Sequence, residues 1–355
     1  MTVQADPPFA LAPSETDKMI LAGQLANEKA AGDVFADHMR HKSEETKKAY
    51  KITVNLFSQA LAEIHINRPT DLHLTDPRAW RGVTWAMVQG YRDWLSAKGY
   101  AIGSINQRLS IIRKMADLAG QAGVIPEDER LRIRDVAGFT RKTGRRVNEQ
   151  REVTRISNQK DASNFLDRDQ VKLLLTALPE NPQGRRDQLM VGMFIYLGMR
   201  VSELVALSMS DIDLVGGILH IYRQKTDTDS QLDMPAPLRQ ILREYLKVRP
   251  EELGDGRLLA ASRRVAVSVN LEGSELLPRA MSKRAVQGRV RRLGQDILGI
   301  DDLSPHDMRH SLAETFAEKE ISEAAAMDVL GWSTSVMYHH YRKRNKVVSV
   351  PNVWG

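Results

Sequence analysis

The chain contains no cysteine in its 355 residues. That excludes disulfide frameworks, thiolate zinc sites and cysteine nucleophiles, and it fits a reducing compartment such as the cytoplasm. A long hydrophobic run is missing too. The longest, Leu189 to Met199, is too short to span a bilayer and stops at Arg200, so it reads as a buried helix, with no membrane partner expected. The first residues, MTVQADPPFALAPSET, lack a basic segment followed by an apolar core, and no signal peptide is expected. There is no internal repeat, and no carboxylate cluster that would hold paired magnesium ions. Asp211 and Asp213 read as turn residues ahead of a strand.

What is present is an ordinary globular composition, 27% charged and 42% hydrophobic, with enough apolar material for two cores. The length suggests two domains plus tails. Lys and Arg number 51 against 45 Asp and Glu, a net charge of +6. This leans toward a polyanionic partner, although distribution matters more than the sum.

Residues 1–40 read as an N-terminal extension, opened by Pro7, Pro8 and Pro13 and helical from about Ser14 to Met39. Ser43 suits a helix N-cap, and Tyr50, Val54, Phe57 and Leu61 follow at helical spacing. A second helix over Thr84 to Ala97 carries Trp85, Val88, Tyr91 and Leu95 on one side. A third, started by Ser104, carries Ile105, Leu109, Ile112, Met115 and Leu118. Residues 41–140 thus form an all-helical domain. Residues 141–163 change character: Arg141, Lys142, Arg145 and Arg146 lie in a stretch with almost no large apolar residue. This is a solvated linker, and its basic cluster suits phosphate neutralisation with counterion release.

A second domain spans residues 164–355. Asp167 precedes a helix over Val171 to Leu178, closed by Asn181-Pro-Gln-Gly184, and the apolar run to Met199 follows. Then the period changes. Asp213-Leu-Val-Gly-Gly217 is a turn, Ile218 to Tyr222 a strand and Leu232 to Met234 its return partner, with Lys225 to Asp229 at the hairpin tip. Helices resume over Leu238 to Val248, Arg284 to Leu298, Pro305 to Lys319 and Ser322 to Leu330. The fold class is α+β: mainly α, with a small antiparallel sheet.

Four segments carry the chemistry. In Leu303-Ser-Pro-His-Asp-Met-Arg-His310, Ser304 is a natural N-cap, Pro305 fits the first helical position and Asp307 completes a capping box. His306 and Arg309 then face the same way in the first turn or so of a helix, where free amides and the dipole attract anions. The rival reading is a zinc pair, His306 and His310 at i, i+4. Asp307 is shorter than the Glu that zinc-peptidase helices carry, and Arg309 would repel a dication, so no metal is expected. In Gly198-Met-Arg-Val-Ser-Glu-Leu204, Arg200 at the edge of a core needs an anionic partner, which Glu203 or a phosphate supplies. Lys225 by itself is an ordinary hairpin lysine. Leu330-Gly-Trp332 precedes Tyr338 and Tyr341, three apart on a helix. Together these describe one reaction. Two guanidiniums clamp the charge that builds on a phosphodiester under attack. A phenol, with an ordinary pKa of about 10, needs a base or a cationic field. Lys or His protonates the leaving oxygen.

These segments, in this order and spacing, resemble the tyrosine recombinase, or phage integrase, family, of the Cre-like and Xer-like type. The likeness covers residues 165 to 342 and, more loosely, the helical domain. The family phrase G-x-R-x-S-E-L matches Gly198 to Leu204, its hairpin lysine Lys225, its H-x-x-R-H box His306 to His310, and its L-G-H/W phrase Leu330 to Trp332. The family's nucleophile falls nine residues after that last position, which selects Tyr341 over Tyr338.

The resemblance implies attack by Tyr341 to leave a 3′-phosphotyrosine and a free 5′-hydroxyl. It implies Arg200 and Arg309 as phosphate clamps, Lys225 as general acid and His306 as acid/base. Trp332 would give an indole donor or packing, Glu203 would orient the site and His310 would support it. It implies no metal, nucleotide or small-molecule substrate. The partner would be duplex DNA with inverted-repeat sites, held in a C-shaped clamp by a dimer per site and a tetramer on two duplexes. Base readout is expected from Ser104 to Lys114 and Gln287 to Arg292, with Arg289 and Arg292 as candidate DNA contacts. Residues 342–355 are short for an exchanged C-terminal element, and Val347 to Trp354 is expected to dock extended on a neighbour. The first 40 residues are too few for an arm-site domain. A type IB topoisomerase-like relaxing enzyme shares this chemistry. A non-catalytic DNA-binding relative would lack one or more reactive side chains, and none is missing here.

Overall fold

Half of the described helices in this chain start on Ser, Asp or Asn. In the computed structural model, Ser14 opens α1 (Glu15–Arg40) through a reciprocal capping box with Asp17, and Ser43 Oγ accepts from Thr46 N at the head of α2 (Glu44–Glu63). The structure describes residues 14–140, 143, 164–223, 226–251, 253, 256–262 and 275–344. Arg141, Lys142, Arg145, Arg146, Lys225 and the expected docking tail Val347 to Trp354 lie outside the described residues. The chain divides into two compact units, Met1–Lys160 and Asp161–Gly355.

The first unit adds α3 (Thr70–Thr75), α4 (Trp85–Ala97), α5 (Ile102–Gln121) and α6 (Glu127–Asp135). Val54, Phe57 and Leu61 of α2, Val88, Tyr91 and Leu95 of α4, and the predicted apolar face of α5 are all buried. They close on Trp80, whose ring stacks on Phe57 at 5.5 Å, while Tyr91 meets Phe57 edge-on at 5.3 Å. Three expectations change. Trp85, the first residue of α4, is 38% exposed. Helix α5 begins at Ile102, ahead of Ser104. Residues 14–40 are not separate from this domain, since Phe35 is fully buried in its core with Val34 and Met39 packed beside it. The boundary at residue 40 therefore cuts through one core.

In the second unit, Asp167 caps α7 (Arg168–Thr176) in a box with Gln170. Asn181 starts a helix where a stop was expected: its side chain accepts from Gly184 N at 2.8 Å at the head of α8 (Pro182–Leu197). Helix α8 is buried on nearly every side and stops at Gly198, which adopts φ 56°. A Cβ there would come within 2.5 Å of Leu330 Cδ2, so glycine serves both the left-handed turn and the close packing. The short helix α9 (Val201–Ala206) leads into an antiparallel sheet of β1 (Ile212–Asp213), β2 (Ile218–Arg223) and β3 (Thr228–Asp233), with Leu219 opposite Leu232 and Arg223 opposite Thr228. The expected return strand thus starts earlier than Leu232. Helix α10 (Ala236–Leu246) packs on α8. A second ribbon, β4 (Ala260–Ser262) with β5 (Leu276–Ala280), precedes α11 (Lys283–Leu293) and a π-turn over Gly294–Leu298. The chain then runs through α12 (Pro305–Glu318), α13 (Glu323–Leu330) and α14 (Val336–Arg344). No helix among the described residues is long and apolar enough to cross a membrane.

Candidate active site

The predicted cap of α12 forms as read. Ser304 N and Oγ donate to Asp307 Oδ2 at 2.8 and 2.7 Å. Asp307 Oδ1 accepts from Asn164 N at 3.1 Å, and Ser311 Oγ accepts from Leu166 N at 2.8 Å. The segment leading into the unit therefore pins the helix that carries His306, Arg309 and His310.

Arg309 is 5% exposed and donates to the carbonyls of Gly198 and Leu330. Burial first, then the neighbouring Arg200, pulls its guanidinium down to about 10; Arg223 adds to the drop, and Glu203 and Tyr341 oppose it. Arg200 emerges just after the Gly198 turn. Its Nη1 donates to Glu203 Oε1 at 2.6 Å, its backbone N–H to Glu203 Oε2 at 2.7 Å, and its Nη2 to Gly331 O at 3.0 Å. Glu203 is the carboxylate partner expected from spacing, yet the Arg200 side chain keeps about a quarter of its surface open.

Tyr341 is buried with Ala313, Ala317 and Leu330, and its hydroxyl is hydrogen-bonded to His310 Nδ1. Trp332 stacks on its ring at 5.8 Å with the planes 8° apart. The exposed His306 lies edge-on to His310 at 4.1 Å between centroids, so the two imidazoles follow one another from solvent toward the phenol. The imidazole bonded to the phenol is that of His310, one turn beyond His306. Tyr338 faces elsewhere, donating to Ile321 O at 2.5 Å. Seven of the expected side chains, Arg200, Glu203, His306, Arg309, His310, Trp332 and Tyr341, thus converge from α9, α12, α14 and the two turns at Gly198 and Gly331. Lys225 lies outside the described residues. Among the described residues no group of three or more His, Asp or Glu is placed to hold a metal ion.

Arg289 is a correction. It was expected on DNA, but its side chain is only 10% exposed and its Nε donates to Asp187 Oδ2 at 2.6 Å, in a buried group with Arg186. The attraction of a desolvated carboxylate holds it inside the unit. Arg292, three residues on, is exposed. Arg223 has no motif of its own, yet it sits among these residues, 1% exposed, with Nη1 3.8 Å from Glu203 Oε1. The sequence signal is strand alternation: Leu219, Ile221 and Arg223 share the inward face of β2.

The sequence profile of the Phage integrase family matches residues 164–347. The chain is 28% identical over 312 residues to tyrosine recombinase XerC of Azotobacter vinelandii, covering 87% of this chain and 90% of that protein. It is 33% identical over 173 residues to tyrosine recombinase XerC of Pseudomonas aeruginosa, a match that spans 52% of that protein's length and 48% of this chain. In fold it is similar to the Tn1549 transposon integrase solved in complex with a circular intermediate DNA, with a TM-score of 0.60 at 15% identity, covering 88% of this chain and 94% of that one. With half of the chain inside the family's profile and the motif residues gathered at one site, the protein belongs to the phage integrase family.

Proposed function

We propose that this protein is a site-specific tyrosine recombinase that cuts and rejoins duplex DNA with Tyr341 as its nucleophile. The observation that carries this reading is the phenol bonded to His310 Nδ1, one residue from Arg309, while Tyr338 is tied to a backbone carbonyl on another side. In the forward step a bond forms between Tyr341 Oη and phosphorus as the bond from phosphorus to the 5′ oxygen breaks. His310 Nδ1 takes the phenol proton, with His306 as the outer imidazole. Lys225 gives a proton to the departing 5′ oxygen, and Arg200 and Arg309 hold the charge on the equatorial oxygens. The product is a 3′-phosphotyrosine and a 5′-hydroxyl. Attack by a 5′-hydroxyl from a second duplex reverses the step and completes strand exchange through a Holliday junction.

The partner is duplex DNA with inverted-repeat half-sites, bound by a dimer per site and joined as a tetramer across two duplexes. Solved DNA complexes of similar fold and the net charge of +6 support a DNA partner. The basic stretch with Arg141, Lys142, Arg145 and Arg146 suits phosphate contacts between a helical DNA-binding domain and a catalytic domain. The test is a nicked suicide duplex bearing the protein's own site. A covalent protein–DNA adduct is expected from the unaltered chain and from Tyr338→Phe, and none from Tyr341→Phe. An adduct formed by Tyr341→Phe would sink the reading.

A further inference from the structure

The end of α13 is held in an unusual way. A helix leaves its last carbonyls without intrahelical donors, and here each one has a named partner. Met327 O takes the Trp332 N–H at 3.1 Å and the Gly331 N–H. Arg223 Nη2 donates to Val329 O at 2.7 Å and to Asp328 O at 3.3 Å. Arg309 takes Leu330 O, and Arg200 Nη2 takes Gly331 O at 3.0 Å. Four successive carbonyls are thus gripped by three guanidiniums, two of which belong to the proposed phosphate clamp. The negative end of the helix dipole faces the same cations.

Arg223 anchors this arrangement. Its Nε donates to Ser230 Oγ at 3.1 Å on the paired strand β3. Its Nη1 is buried without a hydrogen-bond partner, near a Glu203 oxygen already bonded to Arg200. A Cβ on Gly331 would meet that Nη1 at 2.1 Å, so the turn before Trp332 is built around the guanidinium. No donor of Arg223 points to solvent, and DNA cannot take its place.

We propose that Arg223 is a further positioning residue of the active site, tying the β2–β3 hairpin to the end of α13. It thereby fixes Arg200, Arg309 and the Trp332–Tyr341 stack. It does not touch the phosphate. The inference rests on the recombinase reading above. Misplacing a reacting group by about 1 Å costs on the order of 100-fold in rate, so the effect belongs in the cleavage step and not in DNA affinity.

The experiment is single-turnover cleavage of the suicide duplex over a range of protein concentrations, which separates the limiting rate from the half-saturating concentration. Arg223→Met is expected to lower the limiting rate roughly 100-fold, the size of an ångström-scale misplacement. Arg223→Lys keeps the charge but loses the fork, and is expected to recover part of that loss. Ser230→Ala, which removes only the Nε partner, is expected to cost a few-fold. Half-saturation stays within about threefold in all three, because no phosphate contact is lost. Should Arg223→Met fail to fold, Arg223→Lys and Ser230→Ala carry the test. Limiting rates equal to the unaltered protein's in those two variants, or a loss confined to half-saturation, would overturn the proposal. No cleavage by the unaltered chain would count against the recombinase reading itself.

Discussion

The two units bury different kinds of polar group. In the helical unit the buried polar side chains among the described residues are Thr53, Ser58 and His73, none with a fixed charge, set around Phe57, Trp80 and Tyr91. The catalytic unit, among the described residues, buries the charged side chains of Arg186, Asp187, Glu203, Arg223, Asp307, Arg309 and Glu314. Apolar burial rewards folding directly, whereas a buried charge costs free energy unless it is paired. Two groups inside the catalytic unit meet that cost differently. Asp187 sits between Arg186 at 2.8 Å and Arg289 at 2.6 Å, a structural knot of one carboxylate and two guanidiniums. Glu203 serves Arg200 at 2.6 Å and Arg223 at 3.8 Å, and Arg309 feels both Arg200 and Arg223. Both groups carry more cation than carboxylate, but the second sets three guanidiniums against one carboxylate, and about a quarter of the Arg200 side chain is open to solvent. A site organised this way gains from the arrival of a phosphate, and the knot at Asp187 does not.

The contrast can be broken most sharply at Asp187. Replacing it by Asn leaves Arg186 and Arg289 buried and facing a neutral amide. Removing one partner of a buried pair costs about 3–5 kcal/mol. Urea unfolding of the full chain, followed by amide exchange in α8, is expected to show a loss of that size for the catalytic unit and little change in the helical one. A loss below about 1 kcal/mol would mean that the knot is not structural.

The second test concerns the cation-rich cluster. Arg309 faces Arg200, Arg223, Glu203 and Tyr341, and burial pulls it down to about 10. Its charge is complete at neutral pH and is lost as pH rises through that value. The second-order cleavage constant, which reports the free enzyme, is expected to fall about tenfold per pH unit above it. Lys has an ordinary value about 2 units below that of Arg. In Arg309→Lys the same burial therefore moves the alkaline limb down by about that amount. A limb that stays in place in the variant would show that another group sets it.

Much of this was legible in the chain because it is local. The Ser304, Pro305 and Asp307 cap, the apolar faces of α2 and α5 and the spacing from Trp332 to Tyr341 are decided within a few residues of one another. What could not be read depends on partners far away in sequence. Arg289 looks like a surface cation until Asp187, on a different helix, is brought against it. Arg223 is overshadowed by Lys225 because only the β2 register shows which way it points. The choice between His306 and His310 at the phenol turns on where α14 packs, which the motif does not encode. Helix α6 escaped notice because its sequence, EDERLRIRD, buries a single apolar side chain, Ile133. Trp85 has the right period but is the first residue of its helix and is partly exposed.

The smallest effect separates the units by pH. His73 is fully buried in the helical unit, its Nδ1 3.1 Å from Ser58 Oγ and its Nε2 without a partner. Burial first, and then Arg68, holds its imidazole below the ordinary value of 6.5. Below 6.5 the unfolded chain binds a proton that the folded unit refuses, so stability is complete above that pH and declines as pH falls toward the folded-state value. Amide exchange in α2 and α4 of the full chain is expected to quicken on going from pH 7 to pH 5, after correction for the intrinsic rate. Exchange in α8 of the other unit serves as the reference. His73→Phe keeps the ring contacts with Phe57 and Trp80 at 6.1 and 5.8 Å and removes the titrating nitrogen. It is expected to flatten the acid decline. If α2 and α4 lose protection equally in that variant, the acid sensitivity lies elsewhere, and the helical unit does not owe its pH response to this one buried imidazole.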